Sequence, residues 1–95
     1  MFEQSLALGS TSGATLWLEP WGDCIELPKG RTIRVNARGN RDGCLEVVHG
    51  PDSITIWAWN QAVLQVVDCN DQLLWPPGDD PWPLEPPPTP DGLLH

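Results

Sequence analysis

Apolar residues in this chain alternate with polar ones and almost nowhere recur at helical spacing. In the run 14–19, Ala14, Leu16 and Leu18 share one face, while Thr15, Trp17 and Glu19 share the other. The segment 31–38 alternates more strictly, with Ile33, Val35 and Ala37 at odd positions and Arg34, Asn36 and Arg38 at even ones. Ile25 and Leu27, Leu45 and Val47, then Ile54, Ile56 and Ala58, and finally the segment 62–69 continue the series. Side chains along a strand point alternately to its two faces, whereas a helix gathers positions i, i+3, i+4 and i+7. No window of two helical turns shows the second pattern. The Ile, Val and Thr content of the runs also favours strands.

Turn chemistry falls between the runs. Leu27-Pro28-Lys29-Gly30 reads as a turn with Pro second and Gly fourth. Residues 38–43 contain Gly39-Asn40 and Asp42-Gly43, the signature of a hairpin loop. His49-Gly50-Pro51-Asp52 and Trp59-Asn60-Gln61 close two more. The expectation is an all-β fold, a small antiparallel sandwich or barrel of about seven short strands.

The C-terminal end is a different polymer. Eight of the 11 prolines fall within residues 76–90. Proline has a fixed φ and no backbone N–H, so this stretch joins neither a sheet interior nor a helix. The chain therefore divides into a β-domain over residues 1–75 and a Pro-rich, acidic tail over residues 76–95, extended as polyproline II or disordered. Trp82 and Leu84 are its apolar anchors for docking.

No apolar run approaches the ~20 residues of a spanning helix, which excludes an integral helical membrane protein. Met1-Phe2-Glu3-Gln4 places an acid where a signal peptide carries positive charge. Three widely spaced cysteines, Cys24, Cys44 and Cys69, make no disulfide framework. The expected compartment is a reducing cytoplasm, with the cysteines serving as small buried hydrophobes.

The run Leu16-Trp17-Leu18-Glu19-Pro20-Trp21-Gly22, followed by Leu27-Pro28-Lys29-Gly30, resembles a group of small bacterial proteins. Their shared pattern is Leu-Trp-x-Glu-Pro-Trp-Gly and then Leu-Pro-x-Gly with a β-rich continuation, which Ile33-Arg34-Val35 and Ile54-Thr55-Ile56-Trp57 resemble here. The resemblance covers about 60 residues. It implies a bacterial source and a compact β-domain and brings no activity with it. The Leu-Pro-x-Gly turn is also similar to one half of a cupin, but the His-rich metal motif of cupins is absent.

Catalysis has little to draw on. His49 is the only internal histidine; a dyad would need one of three scattered cysteines beside it and an orienting partner, and its position before Gly50-Pro51 reads as a loop. Zinc sites use local ligand pairs, and Cys24, Cys44, Cys69 and His49 lie on separate runs. No phosphate-cradling loop or nucleophile elbow occurs. The expectation is no enzyme, no cofactor and no metal.

Charge and tryptophan are more telling. All five basic residues lie within residues 29–41, in a chain of net charge −8. That overall charge opposes nucleic-acid binding. Arg34 and Arg38 share a strand face about 13 Å apart and are candidate contacts for a partner. Cross-strand pairing with Glu26 and Glu46 is their ordinary explanation. Six tryptophans are unusual for 95 residues. Alternation puts Trp17, and then Trp57 with Trp59, opposite the aliphatic faces, where a monomer seldom leaves them bare. A core buried on both faces is the competing explanation. These residues point to a non-catalytic protein-interaction or assembly module, through a protein partner or self-association, with Trp17, Trp57, Trp59, Arg34, Arg38 and Trp82 as binding residues. A small-ligand or carbohydrate-binding domain built on the tryptophans is the alternative, and a cupin-like metalloenzyme is a distant third.

Overall fold

The computed structural model describes residues 1–77. They form eight strands and no helix: β1 (Phe2–Gly9), β2 (Ala14–Glu19), β3 (Asp23–Leu27), β4 (Thr32–Gly39), β5 (Glu46–His49), β6 (Ser53–Trp57), β7 (Val63–Asp68) and β8 (Leu73–Trp75). No helix long and apolar enough to cross a membrane is present among the described residues. The Pro-rich tail, with Trp82 and Leu84, lies outside them from residue 78 onward.

The strands make two four-stranded sheets, a front sheet in the order β3-β2-β6-β5 and a back sheet in the order β1-β4-β7-β8. Inner positions of the two sheets form one core. Leu16, Leu18, Leu27, Ile54 and Ile56 come from the front, and Leu8, Ile33, Val35, Ala37, Leu64, Val66 and Trp75 from the back. The alternation marks these inner positions because each sheet buries one face only. A register irregularity between Val66 and Val67 buries both of these neighbours.

Three details differ from the sequence expectation. There are eight strands where about seven were expected, and two of them, β1 and β8, lie outside the apolar runs: the inner face of β1 offers only Leu6 and Leu8, while its Gln4 is hydrogen-bonded. The fold is not purely antiparallel, since β2 and β6 run parallel. The loop over residues 38–43 is no hairpin, since it carries the chain from β4 in the back sheet to β5 in the front. Asp-Gly and Gly-Asn specify a reversal without specifying which sheet the chain enters afterwards.

The turn after β3 is also shifted by one residue. Arg31 N–H donates to Pro28 O at 3.1 Å, so Pro28 is first and Gly30 third. Gly30 has φ +73°, the value the third position of a type II turn requires. Its N–H donates to Ser10 O at 2.8 Å, joining the β1–β2 and β3–β4 connections.

At the β2–β3 turn, Gly22 N–H donates to Leu18 O at 3.0 Å. This turn delivers Trp21 against Trp75, edge to face, with centroids 5.3 Å apart and planes at 67°. Trp75 Nε1–H donates to Asp23 Oδ2 at 3.0 Å. The Glu-Pro-Trp-Gly run thus supplies an aromatic clasp between front and back sheets.

Candidate interaction surface on the outer sheet faces

The front sheet turns its outer side chains to solvent in three rows, set by strand register. Glu26, Thr15 and Ser53 lie abreast at one end. Cys24, Trp17, Thr55 and Val48 cross the middle. Glu19, Trp57 and Glu46 form the third row. Trp17 and Trp57 are each 38% exposed and Val48 55%. Trp57 stands between two carboxylate-bearing positions, while Thr15 Oγ1–H donates to Glu26 Oε1 at 3.2 Å. The four strands carry no Lys or Arg. Lys29 lines a shallow hollow with Thr15 and Glu26 at the first row, while the row of Glu19, Trp57 and Glu46 combines half-exposed indole with two carboxylates, a setting that favours a cation over the ring and an anion-pairing donor beside it.

The outer face of the back sheet carries charges of both signs. Arg34, Asn36 and Arg38 run down its centre on β4, with the guanidinium-bearing positions about 13 Å apart. Ser5 Oγ–H donates to Asn36 Oδ1, and Asn36 Nδ2–H donates to Gln65 Oε1 at 2.9 Å. This polar ladder lies between the two arginines. Glu3 is registered opposite Arg38, and Asp68 and Asp71 line the same shallow hollow as Arg34.

The two faces lie on opposite sides of the sandwich. Trp17 and Trp57 share the front face, and Arg34 and Arg38 share the back. The expected cross-strand pairing of these arginines with Glu26 and Glu46 does not occur, because those glutamates belong to the other sheet. The neighbours of β4 are β1 and β7, which bring Ala7 and Val67 beside Arg34. Nearness in sequence is a poor guide here because the chain changes sheet four times.

Trp59 does not continue the row begun by Trp57. β6 ends at Trp57, and Trp59 packs against the core cluster. Its Nε1–H donates to Arg41 O at 2.9 Å, closing over the β4–β5 crossover. All three cysteines are exposed rather than buried. Cys24 falls on the outer parity of β3, and Cys44 and Cys69 sit in connections. Among the described residues no group of three or more His, Cys, Asp or Glu is placed to hold a metal ion. Trp82 lies outside the described residues.

Sequence reading gave Trp21 and Trp75 no role, and they form the intersheet clasp. It also missed the carboxylate frame around Trp57, which only strand register reveals. Comparison with protein-family models, with curated proteins and with solved structures finds no match to this chain.

Proposed function

We propose that the chain is a non-catalytic protein-interaction module, working in a reducing interior, whose front face takes a cationic partner surface. The observation that carries this reading is the pair of half-exposed indoles, Trp17 and Trp57, on a face with Glu19, Glu26 and Glu46 whose strands bear no Lys or Arg. Covering the exposed part of each ring removes roughly 90 Å² of mainly apolar surface, worth roughly 2 kcal/mol per ring at ~25 cal/mol per Å². A cation over an exposed indole adds ~0.5–1 kcal/mol. The carboxylates, solvated in the free protein, contribute more to partner choice than to affinity.

A second reading rests on the same rings. Flat, half-exposed indoles also serve as platforms for sugar rings, as a carbohydrate-binding domain would require. The two are separated by titrating tryptophan fluorescence with tetra-arginine and with a panel of neutral oligosaccharides. The interaction reading expects saturable quenching by tetra-arginine that weakens with added salt and is largely lost in Trp57→Ala. A saturable response to a neutral sugar, with none to tetra-arginine, overturns it in favour of the second.

A further inference from the structure

The β4–β5 crossover is wrapped around one indole. A Cβ added at Gly39 would lie 3.0 Å from Trp59 Nε1, and one added at Gly43 would lie 2.3 Å from Trp59 Cγ. Between the two glycines, Arg41 O accepts from Trp59 Nε1–H at 2.9 Å. The far end of the wrap is tied to β1, where Gln4 Nε2–H donates to Gly43 O at 2.7 Å and Gln4 Oε1 accepts from Leu45 N–H at 3.0 Å. The path from Gly39 to Gly43 is thus fixed at both ends, and the ring fills it.

Asp42 lies inside this wrap and is exposed. It precedes a glycine, the one residue type with no side chain to crowd its own amide nitrogen. The other aspartates among residues 1–77 precede Cys24, Ser53, Cys69 and Gln72. Among the described residues, neither the Asp42 carboxyl nor the Gly43 N–H has a hydrogen-bond or ionic partner. A carboxyl and an amide nitrogen, adjacent in the chain and both uncommitted, are the two groups that close a cyclic imide.

We propose that Asp42-Gly43 is a modification site, where spontaneous isomerisation to isoaspartate opens the wrap around Trp59 at a rate controlled by Gln4. Gly43 N attacks Asp42 Cγ. The N–Cγ bond forms, the Cγ–OH bond breaks, and the hydroxyl leaves as water with the amide proton. Water then adds back to the imide. Opening at Cγ restores aspartate. Opening at the main-chain carbonyl carbon of Asp42 leaves the chain running through Cβ and Cγ, with the former main-chain carboxyl as the side group. No oxidant, reductant or further reactant takes part.

The product carries one more carbon in its main chain, about 1.5 Å of added path. Gly43 then shifts against the indole it touches, and the acceptors of Trp59 Nε1–H and Gln4 Nε2–H move with the chain. Gln4 acts before that step as well. While it holds Gly43 O, the peptide unit turns little toward the Asp42 carboxyl, and losing that bond frees the nitrogen to reach Cγ. This chemistry is independent of what the front face binds.

The test ages the full wild-type chain at neutral pH and physiological temperature, beside the same chain unfolded in urea and a Gln4→Ala variant. Peptides carrying Asp42 and, separately, Asp91-Gly92 are resolved by chromatography and mass spectrometry. Isoaspartate appears as a second peak of unchanged mass that endoproteinase Asp-N leaves uncut. Folded wild type should accumulate it at Asp42 several-fold more slowly than the unfolded chain, and Gln4→Ala several-fold faster than wild type. Near-UV circular dichroism should fall in step with isoaspartate at Asp42. Asp42→Glu, whose larger ring closes far more slowly, should keep its signal over the same time. Gln4→Glu keeps the acceptor for Leu45 N–H but has no donor for Gly43 O, and it replaces Gln4→Ala if that variant does not fold. Isoaspartate confined to Asp91, or absent from Asp42 while the unfolded chain converts, overturns the proposal. Equal rates in wild type and the Gln4 variant overturn the control by Gln4. A near-UV signal that holds while isoaspartate rises overturns the opening of the wrap.

Discussion

Trp59 and Gly43 show how one side chain fixes another's identity. A Cβ added to Gly43 would sit 2.3 Å from Trp59 Cγ and 2.6 Å from Trp59 Cβ, too close for any small adjustment of the indole. Gly43→Ala must move the ring, breaking its hydrogen bond to Arg41 O, and should destabilise the domain by about 1–3 kcal/mol. Thermal denaturation followed by near-UV circular dichroism checks this, each kcal/mol lowering Tm by roughly 4–8 °C at this size. Gly30 is the useful contrast, since an added Cβ there meets nothing within 4 Å and only its φ of +73° resists substitution. Gly30→Ala should cost about 1–2 kcal/mol and leave the near-UV spectrum of the folded state unchanged. Parity made Trp17 and Trp57 legible as outward residues, since both lie within strands whose inner partners are aliphatic. It misplaced Trp59 because alternation carries no mark of where a strand ends. The cysteines were misjudged for a related reason: small apolar character says nothing about a position in a connection.

Elements were legible wherever an inner face carries several aliphatics in a row, as in β2, β4, β6 and β7. β1 was not, because Gln4 occupies an inner position and trades apolar burial for hydrogen bonds. Its Nε2–H donates to Gly43 O at 2.7 Å, and its Oε1 accepts from Leu45 N–H at 3.0 Å. One side chain on an edge strand thereby pins the long β4–β5 crossover, which has few regular backbone bonds of its own. Gln4→Ala leaves both loop groups without that partner, at a cost of about 1–3 kcal/mol. Hydrogen exchange should show the Leu45 amide losing protection while the amides paired between β4 and β7 keep theirs. Equal loss at both places would show that β1 holds the whole back sheet rather than the crossover alone. Sheet membership is the part no local pattern encodes. β3 and β4 are consecutive, both alternate cleanly, and yet they lie in different sheets. What separates them is the burial both sheets gain by facing each other, a property of the assembled core.

At the scale of the molecule, the decisive quantity is charge and where it lies. The front sheet's outer face is acidic and aromatic, the back sheet carries Arg34 and Arg38 among Glu3, Asp68 and Asp71, and the chain as a whole carries −8. A polycation such as tetra-arginine is therefore drawn to the whole chain at long range as well as to the front face at contact. Asp79, Asp80, Glu85 and Asp91 supply four of the thirteen acidic charges, and all lie after Pro77. Ending the chain at Pro77 removes them while retaining all eight strands and every residue of the core cluster. The long-range attraction for a cation scales with the charge of the chain, so halving that charge halves this term. The shortened chain should bind tetra-arginine several-fold more weakly than the full chain in about 0.01 M salt, where the Debye length is about 30 Å. In about 1 M salt, with a Debye length of about 3 Å, the two should become indistinguishable. Titration of the tryptophan fluorescence of both chains with tetra-arginine at the two salt levels measures the difference. A difference that persists in about 1 M salt would mean that residues 78–95 act on association through contact rather than through charge, and the anchors to test next would be Trp82 and Leu84.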